Sequence, residues 1–244
     1  MKKLRLIYII IFILLYSVAS QAQQVRSIWL NAVTGVNSNW ILNQNAYGNP
    51  EFEYATSFGF TGGLGITYFK KKHFGLNGSI LLTQMGQNYS GTQSGGDADR
   101  KVKLTYLEVP LLFMKDLPFM LYPTWIAFGP DVLILINANQ DYSRDGGNPL
   151  PFPEGMIDGN VKERYKPVDF ALSFSVNRMY TLDYSRKVMF LFSVNSLLGL
   201  TDINSSEWQL PNMHNEYAGS HNFYIGMKVG MMFKVARLGG KKRW

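Results

Sequence analysis

The chain has 244 residues, a formal charge of +7, no cysteine and 14% aromatic residues. That length suits one domain, and the missing thiols exclude disulfides and thiolate metal sites. The basic excess is modest and lies on no recognition helix, which argues against a nucleic-acid partner.

Residues 1–23 read as a signal peptide. Lys2, Lys3 and Arg5 make a basic head, residues 6–18 an apolar run, and Ala19, Ser20 and Ala22 a small-residue exit. The run is shorter than the roughly 20 apolar residues of a transmembrane helix. Removal of this segment takes three basic and no acidic residues, lowering the formal charge from +7 to +4. Beyond it no stretch is long and apolar enough to span a membrane as a helix. Period-2 alternation dominates instead, and it marks strands.

Alternation predicts strands over residues 27–36, 56–70, 73–89, 101–118, 124–137, 167–180, 186–200 and 221–235. In the last, Phe223, Ile225, Met227, Val229, Met231 and Phe233 share one face, and Asn222, Tyr224, Gly226 and Lys228 the other. The Phe, Ile and Leu face is the wide one, while the narrow face carries Asn, Ser, Gly and scattered charge. This inside-out pattern separates a membrane barrel from a soluble one. The connections at residues 70–73, 115–124 and 180–186 are short. Those at 37–54, 90–100, 138–166 and 201–220 are long and polar. Outer-membrane barrels keep short turns in the periplasm and long loops outside. The expected fold is therefore all-β: a closed, antiparallel, eight-stranded transmembrane β-barrel over residues 24–235, with both termini in the periplasm. Residues 236–244 form a basic tail.

Residues 101–118, K-V-K-L-T-Y-L-E-V-P-L-L-F-M-K-D-L-P, are the central strand of this reading. Leu107, Val109, Leu111 and Phe113 face one way, and Tyr106, Glu108, Pro110 and Leu112 the other. A carboxylate here is tolerable inside a barrel and costly in lipid. The segment Y-L-E-V-P-L-L at residues 106–112, with the D-L-P turn after it, resembles the strand motif of the PorT-type (SprT-type) outer-membrane β-barrels of the Bacteroidetes. That resemblance implies a non-catalytic accessory of type IX protein secretion, meeting outer-membrane lipid and other envelope or secretion-system proteins. The alternative is a surface barrel for adhesion or ligand binding with no secretion role; a narrow solute pore is the third reading.

Glu108, Asp131 and Lys228 each stand seven residues from the end of their strand, at Lys115, Thr124 and Val235. They are expected to meet in the lumen as a salt-bridged plug, with Tyr106, Tyr224 and Asn195 as hydrogen-bond partners. Such a plug holds register and closes the lumen, or serves as a gate opened by a partner. The loop containing Pro149, Phe152 and Met156, and the tail residues Arg237, Lys241, Lys242, Arg243 and Trp244, are the candidate partner surfaces. The glycines from Gly59 to Gly65 lie in a strand with no helix after it, so they cradle no phosphate. His73, His214 and His221 match no zinc spacing. Asp141, Ser143, Asp145, Asp158 and His214 share no fixed geometry. No catalytic residue, cofactor, metal or small-molecule substrate is expected.

Overall fold

The structure, a computed structural model, describes residues 26–43, 53–71, 73–93, 96–118, 120, 123–145, 158–209 and 216–238. Ten strands form one antiparallel sheet: β1 (Arg26–Leu42), β2 (Glu53–Ala55), β3 (Ser57–Lys71), β4 (Phe74–Gln93), β5 (Gly96–Asp116), β6 (Thr124–Arg144), β7 (Gly159–Asn160), β8 (Val168–Thr181), β9 (Val188–Gly199) and β10 (His221–Leu238). Eight of them close a ring in sequence order. Its closing seam runs from Arg26 opposite Leu238 to Leu42 opposite His221. The two short strands lie off the ring, β2 against β4 and β7 against β6.

The outer face is the apolar one. Phe58, Leu64 and Ile66 on β3, Leu111 and Phe113 on β5, Phe170 and Phe174 on β8, and Ile225, Met227 and Phe233 on β10 are all exposed. A free face of this kind is unfavourable in water and is what lipid requires. Inward positions are buried, and the expected assignment of faces holds in every ring strand.

Three of the expected connections are corrected. Residues 90–93 and 96–100 are strand and not loop, because β4 and β5 stay paired to Gln93 opposite Gly96. Likewise β1 continues to Leu42 and β6 to Arg144. A bilayer needs only about ten residues of tilted strand, and β5 and β6 have 21 each. The surplus projects from the membrane, where Lys101, Lys103 and Asp141 replace the outer apolar residues and polarity no longer signals a strand's end. At the other end β10 runs through Leu238, so Ala236 and Arg237 belong to the strand and not to a tail.

The β5–β6 ladder breaks locally. Pairing is continuous at Pro110 opposite Asp131 and resumes at Phe113 opposite Phe128, with no registered pair between. Pro110 and Pro130 lack the N–H that a ladder needs.

Candidate functional site: the lumen girdle

Each ring strand sends one polar side chain into the middle of the lumen. These are Asn37 (β1), Thr61 (β3), Thr83 (β4), Glu108 (β5), Asp131 (β6), Ser173 (β8), Asn195 (β9) and Tyr224 (β10), all buried. Each is directly opposite its neighbour or two residues away in register, so together they form a closed belt. The alternating pattern that turns apolar residues outward leaves these positions facing in.

Glu108 is the node of the belt. Asn37 Nδ2 donates to Thr61 Oγ1 at 3.1 Å, Thr61 Oγ1 to Thr83 Oγ1 at 3.1 Å, and Thr83 Oγ1 to Glu108 Oε2 at 2.5 Å. The other carboxylate oxygen accepts from Tyr224 OH at 3.1 Å and lies 3.8 Å from Lys228 Nζ. The Lys228 ammonium also reaches Tyr224 OH at 3.5 Å. Asp131 lies within electrostatic reach of both Glu108 and Lys228 and accepts from Ser173 Oγ at 2.6 Å. The expected trio of Glu108, Asp131 and Lys228 is thus brought together.

Its expected partners are only partly right. Tyr224 serves. Tyr106 is engaged elsewhere, accepting from Asn222 Nδ2 at 3.1 Å, and Asn222 also donates to Asp169 at 2.9 Å. Asn195 lines the site within reach of the Tyr224 hydroxyl, without a hydrogen bond of full geometry. The Thr–Thr relay and Ser173 were not anticipated. Thr61, Thr83 and Ser173 already stood on the inward face by alternation, but alternation says nothing of which neighbouring strand meets them at which level. Asn37 was assigned to a loop because its strand outlasts the apolar pattern.

The belt sits between apolar fillings. Toward the loop end, Tyr89, Val102, Leu104, Tyr106, Leu133, Leu135 and Leu197 fill the lumen. Toward the turn end, Trp29, Met114, Trp125, Met179, Leu191 and Met232 do the same. Between belt and lower filling is a cavity of about 70 Å³ whose walls include Asn31, Ser79, Ser175, Asn177, Asn195 and Lys228. It has room for a few waters and polar groups to hold them. The inside-out pattern therefore describes only the middle of the barrel. Above the bilayer the interior reverts to an ordinary dry core, because there the outer face is wet.

The loop-end mouth is capped. Val161 and Tyr165, from the connection before β8, and Ile203, from the connection after β9, are buried against the upper filling. The two connections are zipped together by Lys166 N donating to Ile203 O at 2.7 Å and Ser205 N to Arg164 O at 2.9 Å, and the second is closed on itself by Ile203 N donating to Ser220 O at 2.9 Å. Asp202 pins the cap, accepting from Tyr217 OH at 2.6 Å, Gln209 Nε2 at 2.7 Å and the backbone N–H groups of Asn204 (3.1 Å) and Ser220 (3.0 Å). Burial raises the Asp202 carboxyl, but these donors and Lys166 outweigh it and hold the group below its usual range.

The remaining candidates fall away from the belt. Asp141 and Ser143 lie in β6, with Asp141 Oδ2 on Lys103 Nζ at 2.8 Å, and Asp158 accepts from Tyr142 N. His73 Nδ1 meets Asp116 at 2.7 Å beside the β3–β4 turn. Arg237 is exposed at the end of β10. Pro149, Phe152, Met156, His214, Lys241, Lys242, Arg243 and Trp244 lie outside the described residues.

A closed eight-stranded ring with an apolar exterior and a filled, polar-belted interior defines a small barrel of the outer-membrane type. The chain belongs to the family described as outer membrane protein beta-barrel domain, whose model matches residues 20–205, and its place is the outer membrane. No curated protein matches it. Among solved structures it is similar to Neisserial surface protein A (10% identity, 87% of this chain and 100% of that one, TM-score 0.39). It is likewise similar to OprG from Pseudomonas aeruginosa (9%, 86% and 96%, 0.40) and to AlkL in lipid bilayers (13%, 89% and 95%, 0.42).

Proposed function

We propose that this barrel is a non-catalytic accessory of type IX protein secretion, working through contacts with other envelope proteins and not as the conduit. The filled lumen supports the second half of that reading. A porin needs about twice as many strands to hold an aqueous channel, and here two apolar fillings flank a hydrogen-bonded belt. Glu108 and Asp131 are buried in that belt and hydrogen-bonded to it, which supports a structural use for them. Support for the secretion role comes from the Y-L-E-V-P-L-L segment, which resembles the PorT-type motif. Its Glu108 anchors the belt, and its Pro110 opens the adjacent ladder. Contacts then fall to the projecting ends of β4, β5 and β6, the cap and the connections.

Deleting the gene and quantifying secreted proteins in medium and periplasm by mass spectrometry tests the role. Cargo trapped in the periplasm is the expected result. An unchanged secretome would overturn it. That outcome would favour a surface-binding barrel, a reading supported by the ordered, Asp202-pinned cap. Direct binding of the purified barrel to a host or cell-surface ligand would then be its signature.

A further inference from the structure

Charges left aside by the belt gather at one corner of the turn end. Arg26 opens β1, Arg186 and Lys187 occupy the β8–β9 turn, and Lys234 and Arg237 stand on the last rungs of β10. Arg26 and Arg237 lie on adjacent rungs of the closing seam, opposite Leu238 and Ser27. Lys234 is within electrostatic reach of Arg186, Lys187 and Arg237. Among the described residues one carboxylate, Asp183, lies near these cations, and it is committed to its own turn. It accepts from the backbone N–H groups of Lys187 and Val188, both at 2.8 Å, and from the Ser185 hydroxyl. Among the described residues none of the five cations makes an ion pair.

The patch is also ordered. Lys234 Nζ donates to the Arg186 carbonyl at 2.7 Å and lies 4.7 Å from the centre of the Trp29 ring. Arg186 is held at φ 52°, a left-handed conformation uncommon for a residue with a side chain. At the loop end, by contrast, the cations Lys101 and Lys103 follow directly on Asp97 and Asp99 along the outer face of β5, and Lys103 pairs with Asp141 at 2.8 Å. The uncompensated charge belongs to the turn end.

Its position decides what it meets. Phe233, Val235 and Arg237 are successive outward positions on β10, all exposed, so the cations begin where the lipid-facing band stops. Tyr180 and Phe190 continue that outer face on the neighbouring strands, with ring centroids 6.4 Å apart. At this depth a phospholipid carries its phosphate, with its acyl chains lying along the apolar face above. An acidic protein would have no use for that continuity.

We propose that the Arg26, Arg186, Lys187 and Arg237 corner, with Lys234 bracing the turn from the inner face, binds the phosphate headgroup of an anionic phospholipid in the leaflet at the turn end. The acyl chains of that lipid lie against Phe233, Val235 and Phe190. The reading is independent of any role in secretion. Juxtamembrane cations near anionic lipid are each worth about fivefold in affinity, and the effect is screened by salt.

The test uses the full chain, purified in a neutral detergent and exposed to mixed micelles of phosphatidylcholine with or without phosphatidylglycerol. Lipid retained is read by native mass spectrometry. Wild type should keep phosphatidylglycerol in preference to phosphatidylcholine at low salt and lose the preference at high salt. The triple variant Arg186→Gln, Lys187→Gln, Arg237→Gln should lose roughly 100-fold of that preference, from three such increments. Lys234 stays intact because it braces the turn, and heat-modifiable gel migration confirms that the variant is folded. Equal retention of the two lipids by wild type would overturn the proposal. So would a folded variant that keeps the wild-type preference, and the corner would then fall to an acidic protein partner.

Discussion

Thr83 receives a hydrogen bond from Thr61 and gives one to Glu108, so its hydroxyl is the only part of it that the belt uses. Thr83→Val keeps the shape and removes the donor, leaving the buried Glu108 Oε2 short of a partner. A loss of about 1–3 kcal/mol is expected, read as a lower unfolding temperature in detergent. Lys228→Met should cost about 3 kcal/mol or more near neutral pH, because it leaves two buried carboxylates facing each other without their cation. If its melting matched wild type, the plug would be wrong. Gly86 is a backbone matter. It sits at φ 148°, and a Cβ there would run into the Val102 carbonyl of β5. Gly86→Ala should destabilise by more than about 1 kcal/mol, with faster amide exchange concentrated in the β4–β5 hairpin.

At the scale of elements, two aspartates hold two connections, and both respond to acid in the same direction. The Ser185 hydroxyl and the N–H groups of Val188 and Lys187 hold the Asp183 carboxyl down at about 2. A depressed folded pKa means that the turn's support is complete above the unfolded value of about 3.9 and is lost as pH falls through about 2. The amide shifts of Lys187 and Val188 should titrate with a midpoint near 2 and stay flat in Asp183→Asn. Asp202 follows the same sign, so acidification below about 4 should loosen the cap. Asp202→Ala should do so at neutral pH, seen as protease cleavage between β9 and β10 while the barrel stays folded. Strands with lipid outside were legible because lipid demands an apolar residue at every second position. The outer halves of β4, β5 and β6 were not. Lys101, Asp99 and Asp141 face water from a strand as comfortably as from a loop, so 90–100 looked like a connection. Tyr165, Asn204 and Asp202 were illegible as a cap, since their contacts join segments whose mutual placement no local pattern records.

Taken whole, the molecule is a ring with a solid centre, and planar bilayers containing it should show no steady conductance at moderate voltage. Steps in wild type would contradict the packing of Trp29, Trp125 and Met232 below the belt and Tyr89 and Leu104 above it. The charged trio was legible because Glu108, Asp131 and Lys228 are costly at mid-strand and an eight-stranded bore is narrow, although Lys228 stands four residues below Tyr224 and reaches up to Glu108 by its long side chain, since β10 runs on to Leu238. The apolar fillings were harder to foresee, since Leu104, Leu133 and Leu197 on an inward face resemble exceptions until their strands are seen above the membrane.

The seam between β1 and β10 has a consequence for how the barrel comes into being. Every other seam in the ring joins neighbours in sequence, whereas Trp29 waits for Lys234, some 200 residues later, and Leu42 for His221. Until β10 arrives, β1 presents a row of unpaired amides and carbonyls along 17 residues, a template for pairing with any stray strand. Closure is the slow, high-contact-order step, and the belt can complete its circuit only then, because Tyr224 is its last member to be made. Assembly is therefore all or nothing at its end. A chain stopped short of His221 would be an open sheet with a bare edge and a Glu108 lacking Tyr224 and Lys228, and not a smaller barrel.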